Sequence, residues 1–361
     1  MASIATATKA PPRSTSRSWL EVLSNIWAWL FLAILLLIFT LASDVFLTAR
    51  NLQNILANMS ILTIIAMGQT FAIIAGGIDL SAGWIMGMVT VVSALTMNAF
   101  PAETSLWVIV PAGALVGLLA AWIAGFVNGT LVARLNVPPF IATLGMFGIA
   151  RGLGFMFSEG MPVPIRVRGI GNLGNGYLFY YHPSVGLSFL DKPVGLPQEE
   201  LRQIVQIVPF VLIVMLVLLF AGHLLLSRTK FGLHTYAIGG NKEAATRAGI
   251  PVAHRTTLIY MLSATFAAFA GLVYNVRFTN GAANAGETMV LDTVAAVVIG
   301  GASLFGGSGT LIGTLIGALI IAVLGNGLVI TNVNPYWQYI AVGSVIIVAV
   351  LIDQAREKLL R

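Results

Sequence analysis

Long apolar runs separated by short polar links recur from residue 26 to residue 352. Few folds accept such a chain. In lipid every backbone N–H and C=O must be satisfied within the segment, so each run of about 20 residues becomes a membrane-spanning helix. Only 9% of the residues are charged, against about 25% in soluble domains. Ten spans are expected, over 26–42, 55–75, 84–99, 106–131, 140–157, 207–226, 258–276, 289–299, 311–330 and 336–352. The expected fold class is therefore an all-α integral membrane bundle of about ten helices. Residues 1–24 form a tail and 25–357 the transmembrane domain. The basic tail, with Lys9, Arg13 and Arg17, reads as a cytoplasmic extension, and Trp27 and Trp29 as an interfacial belt at the first span.

Ten spans put both termini on one side. Of the 19 Lys and Arg, twelve then fall on the side of the termini and seven on the other. Positive charge is enriched on the cytoplasmic side, so both tails are expected in the cytoplasm of a bacterial inner membrane. The same count places the long Gly- and Pro-rich insert, 158–206, outside, as a cap with little regular structure. Gln198 to Gln206 would start the sixth span as a surface helix. The net charge of +6 belongs to span ends and lipid headgroups rather than to nucleic acid.

The long polar segment of the second half, 227–256, becomes a cytoplasmic loop with one short helix. Asn241 is placed to cap it and Glu243 lies in its first turn. Glu243 and Arg247 are four apart with the acid first, the favourable order for an ion pair. Gly249 can end the helix and Pro251 stops it resuming. About two turns are unstable alone in water, so another surface must support them. Two Gly-rich turns also echo each other: Gly76, Gly77, Leu80 and Gly83 recur as Gly300, Gly301, Leu304 and Gly307, at a constant offset of 224. Asp79 or Ser81 is expected to cap the third span.

Chemistry within the chain is excluded on several counts. There is no cysteine, the four histidines lack metal-ligand spacing, and no P-loop, HExxH or GxSxG occurs. Neither enzyme activity nor a cofactor or metal is expected. Arg151 lies about a dozen residues into its span, roughly 18 Å deep by helical rise. It is either a pathway residue facing a hydroxyl-rich solute or an arginine that snorkels or ties down backbone carbonyls. Asp292 is the only other intramembrane ionisable candidate, so no proton relay is evident and an ion-coupled carrier is disfavoured. Arg50 and Arg277, each beside a span end on the outer face, could dock acidic groups of a soluble partner.

Several blocks in order carry a family resemblance: Gly76-Gly77-Ile78-Asp79-Leu80-Ser81, Asn128-Gly129, Pro139 to Gly145, Arg151-Gly152-Leu153, Ala237 to Asn241 with Glu243-Ala244-Ala245 and Gly249-Ile250, and Ala295 to Gly301. The chain resembles permease subunits of bacterial ABC sugar importers of the ribose/xylose/galactose type, in a superfamily shared with branched-chain amino acid permeases. The resemblance implies a type II importer: two permease copies, two ATPase subunits and an extracytoplasmic sugar-binding protein. It further implies that Gly240, Asn241, Glu243, Ala244, Ala245, Arg247 and Gly249 meet the ATPase. The chain departs from the pattern at Val290, where an acid is usual, and at Val342, where a base is common. A polyol, an autoinducer-like furanose or an amino acid is the alternative solute.

Overall fold

The computed structural model describes residues 19–360 except 102, 198 and 335, with side chains over 27–351 except those three and 346, 349 and 350. Each of the ten apolar runs holds a helix, the sixth beginning as a strand. In chain order the helices are α1 (Trp19–Ala42), α2 (Ala49–Ile74), α3 (Ala82–Asn98), α4 (Leu106–Ala133), α5 (Pro139–Ser158), the short α6 (Ile170–Asn175), α7 (Phe210–Arg228), α8 (Lys230–Gly240), α9 (Lys242–Arg247), α10 (Val252–Phe278), α11 (Met289–Ile299), α12 (Leu311–Ile330) and α13 (Tyr336–Leu360). Among the described residues, α2, α4, α5, α7, α10 and α12 are long and apolar enough to cross a membrane. Trp27–Ala42, Ala82–Asn98 and Met289–Ile299 are shorter apolar helices. The basic tail of residues 1–18 lies outside the described residues. The rest of the expected 1–24 tail already belongs to α1.

α2 is the axis of the bundle, buried along nearly its whole length. Its Ile64, Ile65, Met67 and Phe71 pack with Trp84 and Ile85 of α3 and with the small residues of α10. On its other side Leu62, Ala66 and Ile73 pack with α1, α11 and α12. Helices in lipid gain no hydrophobic drive from packing on one another, so close backbone approach matters more. α4 supplies it with Gly117, Ala121, Gly125 and Gly129, one residue per helical turn and all buried. An added Cβ on Gly125 would meet α10 at Met261 and Ala264, 2.8 Å away, and one on Gly129 would meet Thr257 at 2.6 Å.

The insert departs from an all-α chain. β1 (Val163–Pro164) pairs antiparallel with β5 (Asn280–Gly281), which follows α10. Beyond α6, β2 (Tyr177–His182), β3 (Gly186–Phe189) and β4 (Val205–Pro209) form an antiparallel sheet in the order β3-β2-β4. Register puts Phe179 beside Phe189 and Ile207, and Tyr181 beside Leu187 and Val205. Tyr180 and His182 are buried on the opposite face. Instead of a surface helix, Glu200–Gln203 is a 3-10 turn and β4 runs straight into α7. The reason is composition: β-branched and aromatic residues at alternating positions favour a half-buried strand over a helix.

Candidate functional site

The loop of 227–256 holds two helices rather than one. Thr229 caps α8 by accepting from the Phe231 and Gly232 amides, and α8 runs to Gly240. The sequence pattern misses α8 because two glycines end it and no acid marks its start. The second helix is as expected. The Asn241 side chain accepts from the Ala244 amide at 2.8 Å. Glu243 and Arg247 pair at 2.6 Å on the exposed face, and Gly249 has φ +80. The support for this short helix comes from its own chain: Ala245 is buried against Ile238 of α8 and Val252 of α10. The face carrying Glu243 and Arg247 stays open, their side chains 76% and 78% exposed.

α8 in turn is tied to both Gly-rich turns. Tyr236 donates to the Gly309 carbonyl at 2.7 Å, and its burial raises the phenol pKa, keeping it a donor. The Gly307 amide donates to the Ile74 carbonyl at the end of α2, 2.8 Å away. Gly239 lies between them: a Cβ there would press into the Ile74 carbonyl and sit 2.6 Å from the Gly307 nitrogen. Three backbones thus meet next to α9: the α2–α3 turn, the turn between α11 and α12, and the end of α8. The echo between the two turns is real but shifted by one residue. α2 ends with Gly76 N–H on Ile73 and Gly77 N–H on Ala72, and α11 ends with Gly301 N–H on Val298 and Ala302 N–H on Val297. Both are the same C-terminal cap with glycine in the left-handed region, φ +80 and +87. The match therefore runs at 225, because the cap follows the αL position rather than the glycine count.

At the other end of α2 and α10 lie Arg50, in the first turn of α2, and Arg277, in the last turn of α10. Arg277 donates to the Asn58 side chain at 2.9 Å. Burial pushes the Tyr177 phenol up, and Arg277 and, more weakly, Arg50 pull it back down. Arg50 is exposed and Arg277 half-buried. Arg151 of α5 is exposed. Its guanidinium lies over the Trp84 ring, 4.9 Å from the centroid. It sits on the open face of α5, where Gly145, Gly148 and Gly152 have no neighbour within 4 Å.

A family model described as "Branched-chain amino acid transport system / permease component" matches residues 51–350. This chain belongs to that permease family. It is 35% identical over 336 residues to a ribose import permease protein of Bacillus subtilis, covering 93% of this chain and 94% of the relative. A xylose transport system permease protein of Haemophilus influenzae is 33% identical over 364 residues, covering 91% and 95%. A galactose/methyl galactoside import permease protein of Escherichia coli is 33% identical over 350 residues, covering 94% and 97%. No solved structure matches the chain. Among the described residues no group of His, Cys, Asp or Glu could hold a metal.

Within this permease, one buried acid escaped the sequence reading. Asp79 is only 2% exposed. Ser81 donates to it through its amide at 3.0 Å and its hydroxyl at 2.5 Å, and Ser263 of α10 donates at 2.7 Å. Asn128 of α4 donates to Ser81 at 2.9 Å. The Gln69 carboxamide, in the orientation that satisfies it, pairs with both backbone groups of Asp79 at 3.0 and 3.3 Å. Ser81 makes no side-chain cap to α3, whereas the Asp79 side chain accepts from the Ser81 amide at the N-terminus of that helix. The Asp79 side chain thus latches the α2–α3 turn to α10 and, through Ser81, to α4. Its partners lie as far as 184 residues away, beyond any local pattern.

Proposed function

We propose that this chain is the membrane permease subunit of an ATP-driven, binding-protein-dependent importer of a monosaccharide, a pentose or hexose. It would form the translocation pathway with a second permease copy. The ten helices α1–α5, α7 and α10–α13 are read as ten spans, with both termini in the cytoplasm and the insert outside. ATP hydrolysis would occur in separate ATPase subunits, and Arg50 and Arg277 would face an extracytoplasmic sugar-binding protein. One observation carries the reading: a capped helix, α9, is held rigidly by buried Ala245 while its charged face stays free beside the three-way glycine junction. That is what a lever for an external motor needs, a stiff exposed end joined to the ends of core helices. Gly240, Asn241, Glu243, Ala244, Ala245, Arg247 and Gly249 form this lever, and Arg151 on the open face of α5 faces the pathway or the second copy. The monosaccharide follows from relatives named for ribose, xylose and galactose that align over nearly the whole chain.

The test reverses charge at Glu243 or Arg247 in the assembled transporter. The exposed ion pair itself contributes at most about 0.5 kcal/mol, so the fold should be unharmed. Uptake should fall while membrane insertion stays normal. Unchanged uptake with normal ATPase association would remove α9 from the coupling role.

A further inference from the structure

A cavity of about 320 Å³ opens at the insert end of the bundle, between α2, α11, α12 and α13. Small-molecule sites start at about this size. Its polar wall is made by Asn58 of α2, Thr288 and Asp292 at the start of α11, Asn326 of α12 and Gln338 of α13, over an apolar floor that includes Leu62. We infer that this cavity holds one neutral polyhydroxylated solute, a monosaccharide-sized polyol, on its way through the bundle. The inference rests on the transport function proposed above and gives that function its first solute site.

Two of the amides are already aimed. Arg277 occupies the Asn58 carbonyl oxygen at 2.9 Å, which leaves the Asn58 N–H groups free. Asn326 is held by a reciprocal pair with Asn51, at 3.0 and 2.9 Å, and keeps one N–H and one lone pair spare. Among the described residues, the Asp292 carboxylate, the Gln338 amide and the Thr288 hydroxyl bond to no protein group. The wall thus offers one strong acceptor, two fixed amides and two groups that both donate and accept.

This inventory selects among solutes. A sugar hydroxyl both donates and accepts, so it matches every group on the wall, and the aliphatic floor suits the C–H face of a sugar ring. Among the described residues no Lys or Arg lines the cavity, and Arg277 behind it is engaged by Asn58, so an anion, or the carboxylate of a zwitterionic amino acid, would lack a direct counterion there. An apolar solute would leave the polar groups unpaired, at about 1–3 kcal/mol each. The remaining competitor is a small cation held by Asp292 alone.

The chain has no cysteine, so Thr288→Cys provides a unique thiol on the cavity wall. Maleimide labelling of this variant, as the full chain in lipid nanodiscs, is timed with D-ribose, D-xylose, D-galactose, choline or betaine present. At least one sugar should slow labelling saturably, and choline and betaine should not. Adding Asp292→Asn should raise the half-protecting sugar concentration about tenfold with an unchanged melting temperature. If no sugar protects while the assembled transporter takes up one of them, the site assignment is wrong and the transport function stands. Protection by choline alone would make it a cation site and also overturn the assignment. If no sugar is taken up by the assembled transporter, the transport proposal fails, whatever the labelling shows.

Discussion

Gly239 and Gly240 are adjacent in the last turn of α8, yet the structure gives their alanine variants opposite fates. A methyl group on Gly239 would press into the Ile74 carbonyl and lie 2.6 Å from the Gly307 nitrogen. Backbone forms that wall on both sides, so no rotamer change relieves the clash. Either α8 shifts away or the Gly307–Ile74 hydrogen bond opens. Overpacking of this kind costs about 1–3 kcal/mol, and the lost hydrogen bond about 1 kcal/mol more. The better helix propensity of alanine returns about 1 kcal/mol. The net expectation for Gly239→Ala is a loss of about 1–3 kcal/mol and a melting temperature lower by several degrees. A methyl on Gly240 meets nothing within 4 Å, so Gly240→Ala should melt at the parent temperature or slightly above it. Both variants can be measured by size-exclusion recovery after heating in detergent. In the assembled transporter, Gly239→Ala should also lower the solute moved per ATP hydrolysed, because the junction joins α9 to the core turns. Equal melting of the two variants would refute the junction, and so would a silent Gly239→Ala.

Two further outcomes follow from the geometry. Asp79→Ala leaves the Ser81 and Ser263 hydroxyls without their acceptor in a buried site, and should cost about 2–4 kcal/mol. Asp79→Asn keeps part of the network and should cost less, a ranking that thermal melting checks directly. Arg50→Glu combined with Arg277→Glu should weaken docking of the sugar-binding protein, more at low salt than at high salt. Binding indifferent to both the mutations and ionic strength would free these arginines of that role. Because Arg277 also holds Asn58, Arg50→Glu alone is the cleaner electrostatic probe.

The helices were legible because lipid imposes one strict rule on backbone polar groups, and the apolar runs follow it. α9 was legible for a local reason: Asn241, Glu243, Arg247 and Gly249 lie within nine residues and act on each other. The insert was misread because its strands are short and their pairing is nonlocal. The aromatic run from Tyr177 to Tyr181 favours a strand, but nothing local pairs β1 with β5. α8 went unseen because its cap, Thr229, precedes no acid and its end is two glycines, which read as a turn. The latch at Asp79 and the meeting of Gly239 with Ile74 and Gly307 join segments far apart in sequence. No single stretch encodes such contacts. The blocks that carried the family resemblance contain several of these residues, including Asp79, Gly239 and Gly76, but the blocks alone do not say what each residue touches.

The central claim is that an external ATPase drives solute through this chain by way of α9. It is tested most directly by uptake of radiolabelled ribose, xylose and galactose into proteoliposomes holding the chain with its ATPase and binding protein. The account predicts uptake of at least one sugar that requires ATP on the α9 side and the binding protein on the insert side, and that stops with Glu243→Arg. Uptake driven by an ion gradient without ATP would contradict it.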